Sequence, residues 1–133
     1  MRARGAILFL AAVGCSGSLP SPSDPLPPIP ASVPGALGPI PIVWVDSLRD
    51  PDNSASVLWG AYSPSRGIIF LSRAIGKDRA FAWAVLHHEL CHVVFQESGL
   101  RYITPPPLVQ AICDAVAHRA VTLMRAGWPP ADP

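Results

Sequence analysis

Charge is scarce in this chain and balanced in sign. Only 14% of the 133 residues are charged, and ten Lys and Arg face nine Asp and Glu, for a net charge of +1. Without a basic excess there is little to neutralise a phosphate backbone, which excludes a nucleic-acid-binding role. Long hydrophobic runs are missing too. The apolar stretch from Ala6 to Val13 is eight residues long, too short to cross a bilayer. Cysteine is limited to three residues, no internal repeat is present, and the length leaves room for one small domain. With half of the residues hydrophobic, wholesale disorder is excluded as well.

Proline is in excess, 17 residues in all, and nine of them fall between positions 20 and 41. Proline removes amide donors and fixes φ, so this segment predicts an extended, partly polyproline spacer. Upstream, Met1-Arg2-Ala3-Arg4 forms a basic start, Ala6 to Val13 an apolar core, and Gly14 a small residue before Cys15. That is the layout of a signal peptide. Ala12-Val13-Gly14-Cys15 resembles a bacterial lipobox, with Ala12 where Leu is usual. The resemblance implies cleavage before Cys15 and lipidation of its sulfur; an ordinary secretory signal cut nearby is the alternative. The expected organisation is therefore a signal peptide at 1–14, a Pro-rich tether at 15–41, a folded domain at 42–128 and a tail at 129–133. The expected location is the bacterial cell envelope, lipid-anchored at the outer membrane or periplasmic face, or secreted. Any membrane contact would be through the lipid alone. Cys91 and Cys113 remain, in a compartment that permits disulfides. They either pair or stay as two buried thiols.

From Ile42 the composition changes. Ile42 to Val45 predicts a strand, Asp46 to Ser54 a polar loop, Val57 to Tyr62 a second strand and Ile68 to Leu71 a third. Ser63-Pro64-Ser65-Arg66-Gly67 is turn chemistry, so the last two strands form a hairpin. A helix follows over about Lys77 to Phe95, apolar nearly all round and hence central and buried. Ser98-Gly99 ends it. A second helix begins after Thr104, with prolines tolerated in its first turn, and runs to about Arg125. The fold class is α+β, a small antiparallel sheet or hairpin packed on two helices.

The first helix carries His88-Glu89-Leu90-Cys91-His92, an HExxH motif. Helical positions i and i+4 lie about 40° apart around the axis and one turn apart along it. Both imidazoles therefore face the same way and can hold one Zn²⁺. Glu89 lies about 100° round from His88, placed to take a proton from an attacking water as general base. With four His and two Glu in the chain, chance gives such a match on the order of 0.002 times. Burying two imidazoles and a carboxylate without partners is costly, and a metal removes that cost.

These residues resemble the zincin metallopeptidases. The extended zincin pattern of uncharged residues around the motif is met by Val85, Leu86, Leu90, Cys91, Val93 and Val94. The order of strand hairpin, motif helix, loop and second helix is similar to a minimal gluzincin. That resemblance implies a zinc endopeptidase whose sheet edge, the strand Ile68 to Leu71, pairs with an extended peptide or protein substrate. Gluzincins take their third ligand from the second helix, commonly in a Glu-x-x-x-Asp run. Here the run is Gln110-Ala111-Ile112-Cys113-Asp114, with Gln in the ligand slot. Asp114 is the preferred third ligand and His118, one turn on, the next. The alternative for Asp114 is an acceptor that orients a ligand imidazole. Tyr102 and His118 are the candidates for stabilising an oxyanion. Glu97 falls on a different face and His87 points away from His88. The alternative function is a non-catalytic, metal-stabilised binding or adaptor lipoprotein, suggested by Gln110 and the small size. Substrate and oligomeric state are not readable at this level.

Overall fold

The computed structural model describes residues 26–50 and 52–127. The signal sequence, Cys15 and the tail from 129 lie outside them. Within the described residues, six short strands precede two α-helices. β1 is Ser32–Val33, β2 Ile40–Val45, β3 Leu48–Arg49, β4 Val57–Leu58, β5 Gly60–Ser63 and β6 Ile68–Ser72. Helix α1 spans Arg79–Glu97 and helix α2 Pro106–Arg125.

The main sheet has the order β1-β2-β6-β5, and β3 with β4 forms a separate hairpin. β2 runs parallel to β6, from Ile42 opposite Ile69 to Val45 opposite Ser72, whereas β1 and β5 pair antiparallel to their neighbours. The sheet is thus mixed, not antiparallel. Along β2, Ile40 and Ile42 point inward while Pro41 and Val43 point out, the alternation expected of a strand with one buried face. Ile69 and Leu71 of β6 are fully buried and pack with Val85 and Leu86 of α1.

α1 starts where the Asp78 side chain accepts the Phe81 amide at 2.9 Å, an N-cap bond. It ends at Gly99, whose φ of 76° is the left-handed conformation that closes many helices. α2 places Pro106 and Pro107 in its first turn, where a missing N–H costs nothing. α1 lies between the sheet on one side and α2 on the other. A second small cluster, Cys91, Phe95, Val109 and Cys113, fills the helix–helix interface. There Cys91 and Cys113 form a disulfide, with Cα atoms 5.3 Å apart.

Three sequence expectations are corrected by this architecture. First, the domain does not begin at Ile42, because residues 26–41 are part of it. Leu26, Val33 and Ile40 are buried. The Leu26 carbonyl accepts from the Arg79 guanidinium and the Pro27 carbonyl from the Trp83 indole, both at 2.7 Å. The Ala36 amide donates to both carboxylate oxygens of Glu97 at 3.1 Å. Proline deletes donors but keeps acceptors, so a Pro-rich segment can still be tied down through its carbonyls.

Second, the expected strand Val57 to Tyr62 is two strands, divided at Trp59. Val57–Leu58 pairs with Leu48–Arg49 inside the expected polar loop. Gly60–Ser63 pairs with β6. Third, Ile68 to Leu71 is not a sheet edge. β2 takes up its outer side, which leaves β5 as the edge strand next to the helices.

Candidate active site

The HExxH residues project from α1 toward the edge strand. The Nε2 atoms of His88 and His92 face each other at 3.0 Å, with ring centroids 4.8 Å apart. Behind His88, Asp114 Oδ1 lies 2.9 Å from Nδ1. Asp114 therefore meets the ring nitrogen remote from His92, the place of an orienting acceptor rather than of a third ligand. The reason is geometric: α2 packs against α1 through Cys113, and the next residue reaches only the near side of the His88 ring. The side chain that does approach the facing nitrogens is Gln110, whose Nε2 lies 3.2 Å from His88 Nε2.

Glu89 is 7% exposed and faces β5 at Gly60. A Cβ on Gly60 would lie 2.5 Å from Val85 Cγ1 and 3.2 Å from Glu89 Oε1, so only glycine lets the strand come this close. Burial pushes the Glu89 carboxyl up to about 7, a backbone hydrogen bond from Tyr62 holding it partly down. A carboxyl poised there suits general-base chemistry near neutral pH. Burial, reinforced by the neighbouring His88, lowers the pKa of His92, against the Gln110 hydrogen bond and the Asp114 charge.

The cleft over these groups has two adjoining halves, both lined by Leu58, Gly60, His88, Glu89 and Gln110. One, of ≈ 520 Å³, extends past Tyr62 and Arg101. The other, of ≈ 490 Å³, extends past Trp59 and Phe81 to Asp114 and His118. His118 is exposed on the wall of the second half and bonds neither imidazole among the described residues. Tyr102 is 75% exposed and lines neither half of the cleft, its ring centroid lying 5.3 Å from the guanidinium of the cleft residue Arg101; it is not brought to the site. His87 stacks on Trp83 at 5.6 Å, and burial lowers its pKa. Its ring lies outside both halves of the cleft.

Gly60, Tyr62, Arg101, Trp59 and Phe81 are among the cleft residues that sequence reasoning did not single out for function. Of these, only Gly60 carried a signal, as a glycine inside a strand pattern that marks close backbone approach.

Among the described residues, no group of three or more His, Cys, Asp or Glu side chains converges so as to hold a metal ion. The donor set nonetheless fits zinc in a two-imidazole grip. At 2.0–2.1 Å per bond, two tetrahedral ligand nitrogens are about 3.3 Å apart, close to the 3.0 Å between these Nε2 atoms. Asp114 on Nδ1 fixes the His88 tautomer that leaves Nε2 with a lone pair. A turn of the Gln110 amide presents its oxygen in place of its nitrogen to the same point. No protein-family model, no curated protein and no solved structure matches this chain.

Proposed function

We propose that this protein is a zinc-dependent endopeptidase of minimal zincin type, held at the cell envelope by a lipid on Cys15. The observation that carries this reading is the buried Glu89 carboxyl beside the facing His88 and His92 imidazoles, in the middle of an open cleft along an edge strand. His88 and His92 would hold the ion, with Gln110 at a third position. Zinc bound there supplies a Lewis acid that polarises a carbonyl and lowers the pKa of water toward about 7.

The chain's own residues do the remaining work. Asp114 holds the His88 ring in orientation through Nδ1. Glu89, kept near neutrality by burial, accepts the proton of the attacking water and returns it to the leaving amine. The outer edge of β5, replacing Ile68 to Leu71 in that part, would offer its backbone groups to an extended peptide, apart from the Tyr62 amide that bonds Glu89. Gly60 lets β5 lie close against Glu89, so that a peptide paired on this strand would run beside the carboxylate.

A second reading, a metal-stabilised binding module without catalysis, is favoured by one observation: Gln110 stands where a carboxylate ligand would complete the site. One pair of measurements decides between them. The purified protein is expected to hold one zinc per chain and to cleave casein or a peptide library. Glu89→Gln is expected to keep the zinc and lose about 10²–10⁴-fold in rate, the contribution of a positioned proton acceptor. Stoichiometric zinc with no cleavage by either protein leaves the binding module; no zinc overturns both readings.

A further inference from the structure

The two halves of the cleft differ in chemistry. On one side of Glu89, Trp59 and Phe81 meet edge to face with centroids 6.0 Å apart, flanked by Val57, Ala84 and Ala117. Trp59 is 46% and Phe81 40% exposed. Scattered exposed apolar residues need no explanation. A paired aromatic surface in a concavity continuous with a buried carboxyl does. The backbone beneath both rings is held in place. The Trp59 carbonyl accepts from the Ser72 amide at 2.9 Å, and the Phe81 amide is held by the Asp78 cap.

On the other side of Glu89 the walls include Tyr62, Gln96 and Thr104, and Arg101 is, among the described residues, the one Lys or Arg that lines either half. Its guanidinium donates to the Gln96 side-chain oxygen and lies 5.3 Å from the Tyr102 ring centroid. Among the described residues no carboxylate pairs with it. An oriented guanidinium without an anion is suited to planar recognition of a carboxylate.

We infer that the cleft selects an extended peptide with a bulky apolar side chain on the Trp59–Phe81 side of Glu89 and a carboxylate on the Arg101 side. The inference rests on reading the cleft as a peptide site. Trp59 directly precedes Gly60, which faces Glu89. A peptide laid along β5 advances about 3.3 Å per residue, so the apolar side chain belongs within one or two residues of the point over Glu89. The carboxylate lies beyond that point, toward Arg101.

The test uses the full-length Glu89→Gln protein, which binds without turnover, loaded with zinc. The probe is a short peptide with Leu on one side and Glu on the other of a central Gly-Ala, read by calorimetry and tryptophan fluorescence. Changing the peptide's Leu to Gly is expected to weaken binding about tenfold or more, and this preference is expected to vanish when Trp59→Ala is added. Changing its Glu to Lys is expected to weaken binding about threefold, more at low salt, and this preference is expected to vanish with Arg101→Gln. Phe81→Ser provides a second apolar variant should Trp59→Ala fail to fold. Equal affinity for the three peptides, no binding of any, or preferences that survive these substitutions would overturn the inference. Both preferences in a protein that cleaves nothing would uphold it while removing the peptidase reading; cleavage without either preference would do the reverse.

Discussion

Helices α1 and α2 carry the candidate site between them, and the fold holds them by different means. α1 buries Ala82, Val85, Leu86, Glu89, Cys91, Val93 and Phe95, and so is gripped by the sheet on one side and by α2 on the other. α2 buries only Val109, Cys113 and Ala117, a single stripe at every fourth position. Leu108, Ile112 and Val116, the parallel stripe beside it, stay exposed. The helix that bears the facing imidazoles and the buried Glu89 carboxyl is thus fixed by packing. The helix that carries Gln110 and Asp114 packs on α1 through that one buried stripe and one covalent bond. The proposed proton acceptor thus sits on the more deeply buried of the two helices, and the bridge adds a covalent tie to the other.

The largest stability effect should come from α1. Leu86 is fully buried against the sheet, and Leu86→Ala is expected to cost about 2–5 kcal/mol from lost burial and the cavity left behind. Urea unfolding measures it directly. A loss below about 1 kcal/mol would mean that α1 is not gripped from both sides, and the contrast between the helices would fall with it.

Much of α1 was legible in the sequence, and little of α2's role was. The i, i+4 histidines, the apolar run and the terminating Ser98-Gly99 are local signals, each fixed by a few neighbouring residues, and the expected helix of about Lys77 to Phe95 is close to the observed Arg79–Glu97. The position of Asp114 is not local. It depends on the depth at which α2 seats against α1, set by the contact of Cys113 with Cys91, and a sequence does not display that depth. The edge strand was misassigned for a similar reason. Which strand lies outermost depends on β2 returning alongside β6 across some twenty intervening positions. The Pro-rich segment misled because composition reports missing donors, whereas Leu26 and Pro27 are held through their carbonyls.

Removing the bridge should weaken α2 selectively. Cys91 and Cys113 are separated by 22 residues, and closing a loop of that length is worth about 3 kcal/mol in the chain-entropy account. Cys91→Ala with Cys113→Ala is expected to lower stability by about that amount. Amide exchange should rise along α2 well before it rises in the buried turns of α1. Equal acceleration in both helices would show that packing, not the covalent bond, holds α2 in place.

The smallest effect separates the two roles weighed for Asp114. Its carboxylate is placed on Nδ1 of His88, where it orients the ring without occupying the facing side. Loss of such a partner lowers metal affinity by about 10–100-fold, and Asp114→Ala is expected to fall in that range by zinc competition with a chelating dye. Asp114→Asn keeps an oxygen that can accept the Nδ1 proton, so it should recover a large part of the loss. A direct ligand would behave otherwise, because an amide is a poor substitute for a carboxylate on zinc and Asn would then bind as weakly as Ala. If the two variants are equally impaired, α2 supplies a ligand as well as an orienting group. The division of labour between a packed helix that binds and a bridged helix that aims would then be wrong.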